Sequence, residues 1–139
     1  MADNKSIGGA TQAIAVSALR AQQARMRIIA ENLANANSTS RTPGGNPYRR
    51  QAPVFQPTQV AGGTGVKMAR VAADTTDFKS DYEPGNPSAD ARGYVKLPNV
   101  DPLIEAMDMR EAQRAYEANL NVIETARAMD MRTLDLLKK

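Results

Sequence analysis

Side-chain catalysis needs a nucleophile, a proton carrier or a bound metal, and this chain is short of all three. It contains no histidine and no cysteine, which removes imidazole bases, thiolates, disulfides and the ligands of nearly every transition-metal site. The carboxylates Asp74, Asp77, Asp81, Glu83 and Asp90 crowd one stretch. They lack the alternating ligand spacing and closing bidentate Glu of a calcium loop, and so read as surface acids. Gly62-Gly63-Thr64-Gly65 is not followed by Lys-Ser/Thr at phosphate-loop spacing and does not complete a dinucleotide fingerprint, so it reads as a flexible turn. No Gly-x-Ser-x-Gly and no assignable pair of carboxylates is present. The sequence therefore assigns no catalytic, cofactor-binding or metal-binding residue and no cofactor, and the chain reads as a non-enzyme.

Tyr48-Arg49-Arg50 sets an aromatic ring beside two cations, a combination that can stack on bases and neutralise phosphates. The net charge is only +3, and the helical basic residues are interleaved with Glu31, Glu105, Glu111, Glu117 and Glu124 rather than lined up. The pair reads better as a solvated or salt-bridged feature. Met107, Met109, Met129 and Met131 lie on or beside apolar stripes, where adaptable packing explains them.

The elements that carry these residues fall into three blocks. Residues 10–37 hold no proline and are rich in alanine, which predicts one long helix. Val16, Leu19, Met26, Ala30 and Leu33 form one stripe, and Ile7, Ala10, Ile14, Ala21, Ala24 and Ile28 form a second at near-heptad spacing. The polar cluster Asn32, Asn35, Asn37 and Ser38 weakens helix propensity and can close the last turn. Residues 38–98 hold seven of the eight prolines and seven of the nine glycines. This block is expected to be loop with short strands at 52–55, 66–72 and 94–97, with Phe55, Val71, Tyr94 and Val95 available to pack. The run from Asp81 to Pro87 reads as consecutive turns.

Asp101-Pro102 opens a second helix within residues 99–139, with Asp101 as N-cap and Pro102 in the first turn. Ala112, Ala115, Asn119, Val122, Ala126, Met129, Thr133 and Leu136 make one stripe, and Met109, Tyr116, Leu120, Ile123, Leu134 and Leu137 an adjacent one. Two usable faces on each helix suggest two sets of neighbours. The expected fold is mainly α, with two long terminal helices in a coiled-coil-like hairpin, an irregular or β middle, and a flexible start at residues 1–9. No run approaches the roughly 20 apolar residues of a membrane span, and residues 1–9 lack the pattern of a secretory signal peptide.

Ala30-Glu31-Asn32-Leu33-Ala34-Asn35-Ala36-Asn37 resembles the N-terminal signature of the flagellar rod and hook axial family. Pro47-Tyr48-Arg49-Arg50-Gln51, Pro84-Gly85-Asn86-Pro87 and Gly93-Tyr94-Val95-Lys96-Leu97-Pro98-Asn99-Val100 resemble proximal-rod members of that family. So does the last helix, with Met109, Ala112, Arg114, Tyr116, Glu117, Ala118, Asn119, Leu120 and Met129. The resemblance implies a structural subunit exported without a cleaved signal peptide through the flagellar type III apparatus. It would polymerise in the periplasmic part of the basal body to transmit torque for motility. The implied partners are other rod subunits, copies of itself, and inner-membrane ring or export-gate adaptor proteins, without nucleic acid and without a direct membrane span. The residues expected at the assembly interface are Ile14, Leu19, Met26, Ile28, Leu33, Asn35, Tyr116, Asn119, Leu120, Val122, Ile123, Met129 and Leu136. The rival readings are a helical nucleic-acid-binding protein, tested by salt-sensitive binding, and an export or assembly adaptor that cradles partner helices.

Overall fold

The computed structural model describes residues 7–138. Helix α1 spans Ile7–Ala34 and helix α2 spans Pro102–Leu137. Between them lie strands β1 (Gln51–Val60), β2 (Gly63–Ala73), β3 (Lys79–Tyr82) and β4 (Tyr94–Leu97), paired as two separate antiparallel sheets, β1 with β2 and β3 with β4. Helix α1 begins three residues earlier than its alanine-rich stretch predicts; of the start expected to be flexible, residues 1–6 lie outside the described residues, as does the Ile7 side chain.

At 1.5 Å per residue the helices are about 42 and 54 Å long. They run antiparallel: Gly8 faces Asp130, Arg25 meets Asp108 and Glu111, and Asn32 meets Glu105. Helix α2 starts as its sequence demands, since the Asp101 side chain accepts from the Leu103 N–H at 3.0 Å and Pro102 fills the first turn. Helix α1 closes through Asn35, whose side-chain amide donates to the Glu31 carbonyl at 2.9 Å while its oxygen accepts from Ser38.

Among the described residues the buried apolar set is small: Ala15, Ala21, Ile28, Ile29, Val95, Val100, Ala112, Ile123 and Ala126. Alanine at Ala21, Ala112 and Ala126 lets the layers approach closely but buries little area per residue, so this core supplies modest stabilisation. Of the residues expected to pack in the middle block, only Val95 is fully buried; Phe55, Val71 and Tyr94 are more than one-third exposed.

The first hairpin is longer than the sequence suggests. Pro53 and Pro57 punctuate β1, yet a two-stranded sheet has only edge strands, where a missing N–H is tolerated. The register slips by one residue between Val54 and Phe55, a bulge that leaves Ala69 unopposed. The glycine run holds the hairpin turn at residues 61–62, as its composition suggests, and also packs closely on α1. Gly62 has φ +86° and lies so close to α1 that an added Cβ would stand 2.7 Å from the Ala10 Cβ. An added Cβ at Gly65 would collide with the Ser17 hydroxyl, to which the Val66 N–H donates at 3.1 Å. Strand β3 corrects the reading of residues 81–87 as turns throughout: Asp81 and Tyr82 pair with Val95 and Tyr94, and the turns begin after Glu83. Cross-strand pairing and the edge-to-face stack of Tyr82 on Tyr94, centroids 5.3 Å apart, offset the poor strand propensity of the segment.

Candidate assembly interface and its polar staple

Three blocks of sequence meet at one buried point. Asn32 is fully buried on α1, and its side chain satisfies every donor and acceptor position it has. Its amide donates to the Gln51 carbonyl at 2.8 Å and to Glu105 Oε2 at 3.4 Å. Its oxygen accepts from the Tyr48 hydroxyl at 2.8 Å and the Gln51 N–H at 2.9 Å. Glu105, also fully buried, takes the Arg50 Nε–H on its other oxygen. Arg50 reaches on to Asp74 Oδ2 at 3.3 Å and Asp108 Oδ2 at 3.7 Å. Asn99 closes the far side, accepting from the Arg50 N–H at 2.7 Å and donating to the Asp74 and Thr76 carbonyls.

The electrostatics follow from that geometry. Burial opposes the charge on Arg50, but the hydrogen bond and negative charge of Glu105, then Asp74, outweigh it and hold the guanidinium above its ordinary range. Burial first, then the charges of Glu31 and Glu105, push the Tyr48 hydroxyl up, so it stays a donor to Asn32. Asp74 is held below the usual carboxylate range, chiefly by the Thr76 backbone N–H and side chain, with Arg50 adding to the effect. Arg49 stacks over Phe78 at 4.1 Å and donates to the Asp74 carbonyl at 2.7 Å. Both arginines are thus committed within the chain. Among the described residues no group of three or more Asp, Glu, His or Cys could hold a metal, and no helix is long and apolar enough to cross a membrane.

The residues expected at an assembly interface divide into two sets. Ile28 and Ile123 are buried inside the chain. Leu19, Met26, Leu33, Asn35, Tyr116 and Asn119 are half-buried, and the Asn119 amide donates to the Ala115 carbonyl of its own helix. Ile14, Leu120, Val122, Met129 and Leu136 are exposed, Met129 to 62% and Leu136 to 70%. Val122, Met129 and Leu136 recur every seven residues along one flank of α2, the spacing with which a helix meets another helix. Met107, Met131, Leu134 and Leu137 add further exposed apolar surface. The staple itself escapes a reading by periodicity. Asn32 looks like a residue that ends a helix, and nothing in its spacing announces that it spans to Gln51 and Glu105.

Two family models match the two ends that the staple joins. Flagella basal body rod protein matches residues 13–41, and the C-terminal model of the flagellar basal body rod FlgEFG proteins matches residues 91–136. The flagellar basal-body rod protein FlgC of Agrobacterium fabrum is 50% identical over 131 residues, covering 93% of this chain and 94% of its own length. This chain belongs to the FlgC family of flagellar basal-body rod proteins. FlgC of Salmonella typhimurium is 48% identical over 127 residues, 88% of this chain and 92% of its own. FlgC of Bacillus subtilis is 37% identical over 142 residues, 90% and 95%. Within the FlgC-family chain, Asn32 lies in the first matched region and Glu105 in the second, so their contact ties one matched region to the other.

Proposed function

We propose that this chain is a structural subunit of the rod of the bacterial flagellar basal body and polymerises through the exposed faces of its terminal helices. The observation that carries the reading is identity to FlgC proteins over nearly the whole chain, joined to an α2 flank of Val122, Met129 and Leu136 exposed to solvent. Monomeric proteins rarely leave such a run uncovered. In the assembled rod these flanks pack against helices of neighbouring rod subunits in coiled-coil-like fashion, sharing torque among many contacts. Burying a further 1,000 Å² of apolar surface would contribute on the order of 25 kcal/mol before ordering costs, enough to couple folding of the helix ends to polymerisation. The same account takes the chain through the type III export apparatus into the periplasm and sets it beside inner-membrane ring or export-gate adaptor proteins.

The test is a pair of substitutions chosen by burial. Ile123→Glu places a charge inside the chain and unfolds it, so that variant reports stability rather than assembly. Met129→Glu with Leu136→Glu leaves the monomer within about 0.5 kcal/mol of the parent and abolishes motility and recovery in purified basal bodies. Normal swimming by that double variant refutes the proposal.

A further inference from the structure

A cleft of about 260 Å³ opens between α1 and the β1–β2 hairpin. Ala21, Val60, Val66 and Met68 give it an apolar lining, with Arg20 and Lys67 among the residues around it. Neither cation forms a hydrogen bond or ion pair with another described residue, and the hairpin carries no acid anywhere in residues 51–73. The close approaches of Gly62 to Ala10 and of Gly65 to Ser17 pin the hairpin to α1, so the cleft is preformed. The Ser17 hydroxyl is already used, donating to the Ile14 carbonyl and accepting from Val66. Recognition at this place therefore rests on two uncompensated positive charges beside an apolar surface.

The complementary feature lies elsewhere on the same molecule. Strand β3 is exposed at every residue, and among the described residues β4 is its one neighbour, which leaves its outer edge without a described partner. Asp81 and Glu83, two residues apart and hence on one side of an extended chain that also carries Lys79, make no ion pair among the described residues, and neither does Asp77, so three carboxylates outnumber one lysine there. The Glu83 carboxylate accepts from the Asn86 amide at 2.9 Å. The segment leading into β3 is tied through Thr76 and Asn99 to Arg50, beside Asn32. From Ser17 to Asn32, α1 rises about 22 Å, so the acidic edge and the basic cleft stand at different levels along the helix.

We infer that the cleft receives the β3 edge of a second copy of this chain, with Arg20 and Lys67 of one copy pairing with Asp81 and Glu83 of the next. The contact joins two unlike patches, so it adds copies head to tail instead of pairing two copies about a two-fold axis, and it rests on the rod reading given above. Its charge complementarity sets register and neighbour choice, while the apolar helix flanks supply the larger part of the attraction.

The test uses the full-length chain in sedimentation velocity over a concentration series at low and high salt. The parent associates with rising concentration, and salt weakens the association. Arg20→Glu/Lys67→Glu alone, and Asp81→Lys/Glu83→Lys alone, each raise the dissociation constant about tenfold or more. An equimolar mixture of the two variants associates like the parent, because each then offers the other an opposite charge. All four positions are exposed, so unchanged circular dichroism confirms that folding is intact. A parent that stays monomeric at every concentration, variants that associate like the parent, or a mixture that fails to recover overturns the inference. If both charge variants swim normally while Met129→Glu/Leu136→Glu does not, the cleft contact falls and the rod assignment stands.

Discussion

Asn32 and Glu105, 73 residues apart in sequence and both fully buried, meet at 3.4 Å. This contact fixes where the end of one terminal helix lies against the start of the other. A buried amide with all its partners in place specifies one register, whereas alanine-rich faces slide past each other at little cost.

Asn32→Ala leaves the Tyr48 hydroxyl and both backbone groups of Gln51 without their buried partner. The expected loss is on the order of 3 kcal/mol, read as a lowered urea midpoint with an unchanged denaturant slope. A variant as stable as the parent would show that water replaces the staple.

Removing Arg50 strands the carboxylate of Glu105 in the interior. Arg50→Met should cost about 2 to 3 kcal/mol, below the 3–5 of a fully buried pair because the Arg50 side chain keeps 23% of its exposure. Arg50→Met/Glu105→Leu should cost less than Arg50→Met alone, since no unpaired charge remains. A double-mutant cycle on unfolding free energies measures the difference.

Two groups give the staple a pH signature. The Tyr48 hydroxyl is raised above its ordinary value of 10.0 in the folded chain, so its contribution is complete below that pH and is lost as pH climbs through the higher folded value. Asp74 is depressed below 3.8, so its contribution is present above that pH and is lost as pH falls through the lower folded value. Stability of Tyr48→Phe should fall less steeply than the parent above pH 10, and that of Asp74→Asn less steeply in acid. Parallel curves for parent and variants in thermal melts across pH would contradict both assignments.

Gly62→Ala combines an unfavourable positive φ with a contact at 2.7 Å and should destabilise by about 1 to 3 kcal/mol. Gly85→Ala, where an added methyl meets no described atom within 4 Å, should stay within about 0.5 kcal/mol. Limited proteolysis should cut the first variant faster within residues 51–73.

The terminal helices, the Asp101 cap and β4 were legible because each has a local cause: alanine density, a side chain that bonds two residues on, a short run bounded by glycine and proline. The helix-pairing residues were half legible. Periodicity groups Val122 with Met129 and Leu136 but does not say which stripe faces the partner helix of the same chain, and Ile28 and Ile123 proved internal. Strand β3 stayed hidden because Lys79, Ser80 and Asp81 carry no strand preference and are held by pairing with β4. The staple stayed hidden for a deeper reason. Asn32, Arg50 and Glu105 are ordinary surface types, and their burial is decided by contacts among all three blocks.

The staple is not the whole support of the second helix, and the spread of that support has a mechanical meaning. Helix α2 is backed by α1 through buried Ala112, Ile123 and Ala126 as far as Asp130, which Gly8 faces. Its last seven residues, about 10 Å of helix, stand beyond that backing as a short overhang. A sideways load on Leu136 therefore bends the overhang first and reaches the staple only through the helix pair acting as one beam, so a neighbour seated on Leu136 stiffens the part that is otherwise easiest to deflect.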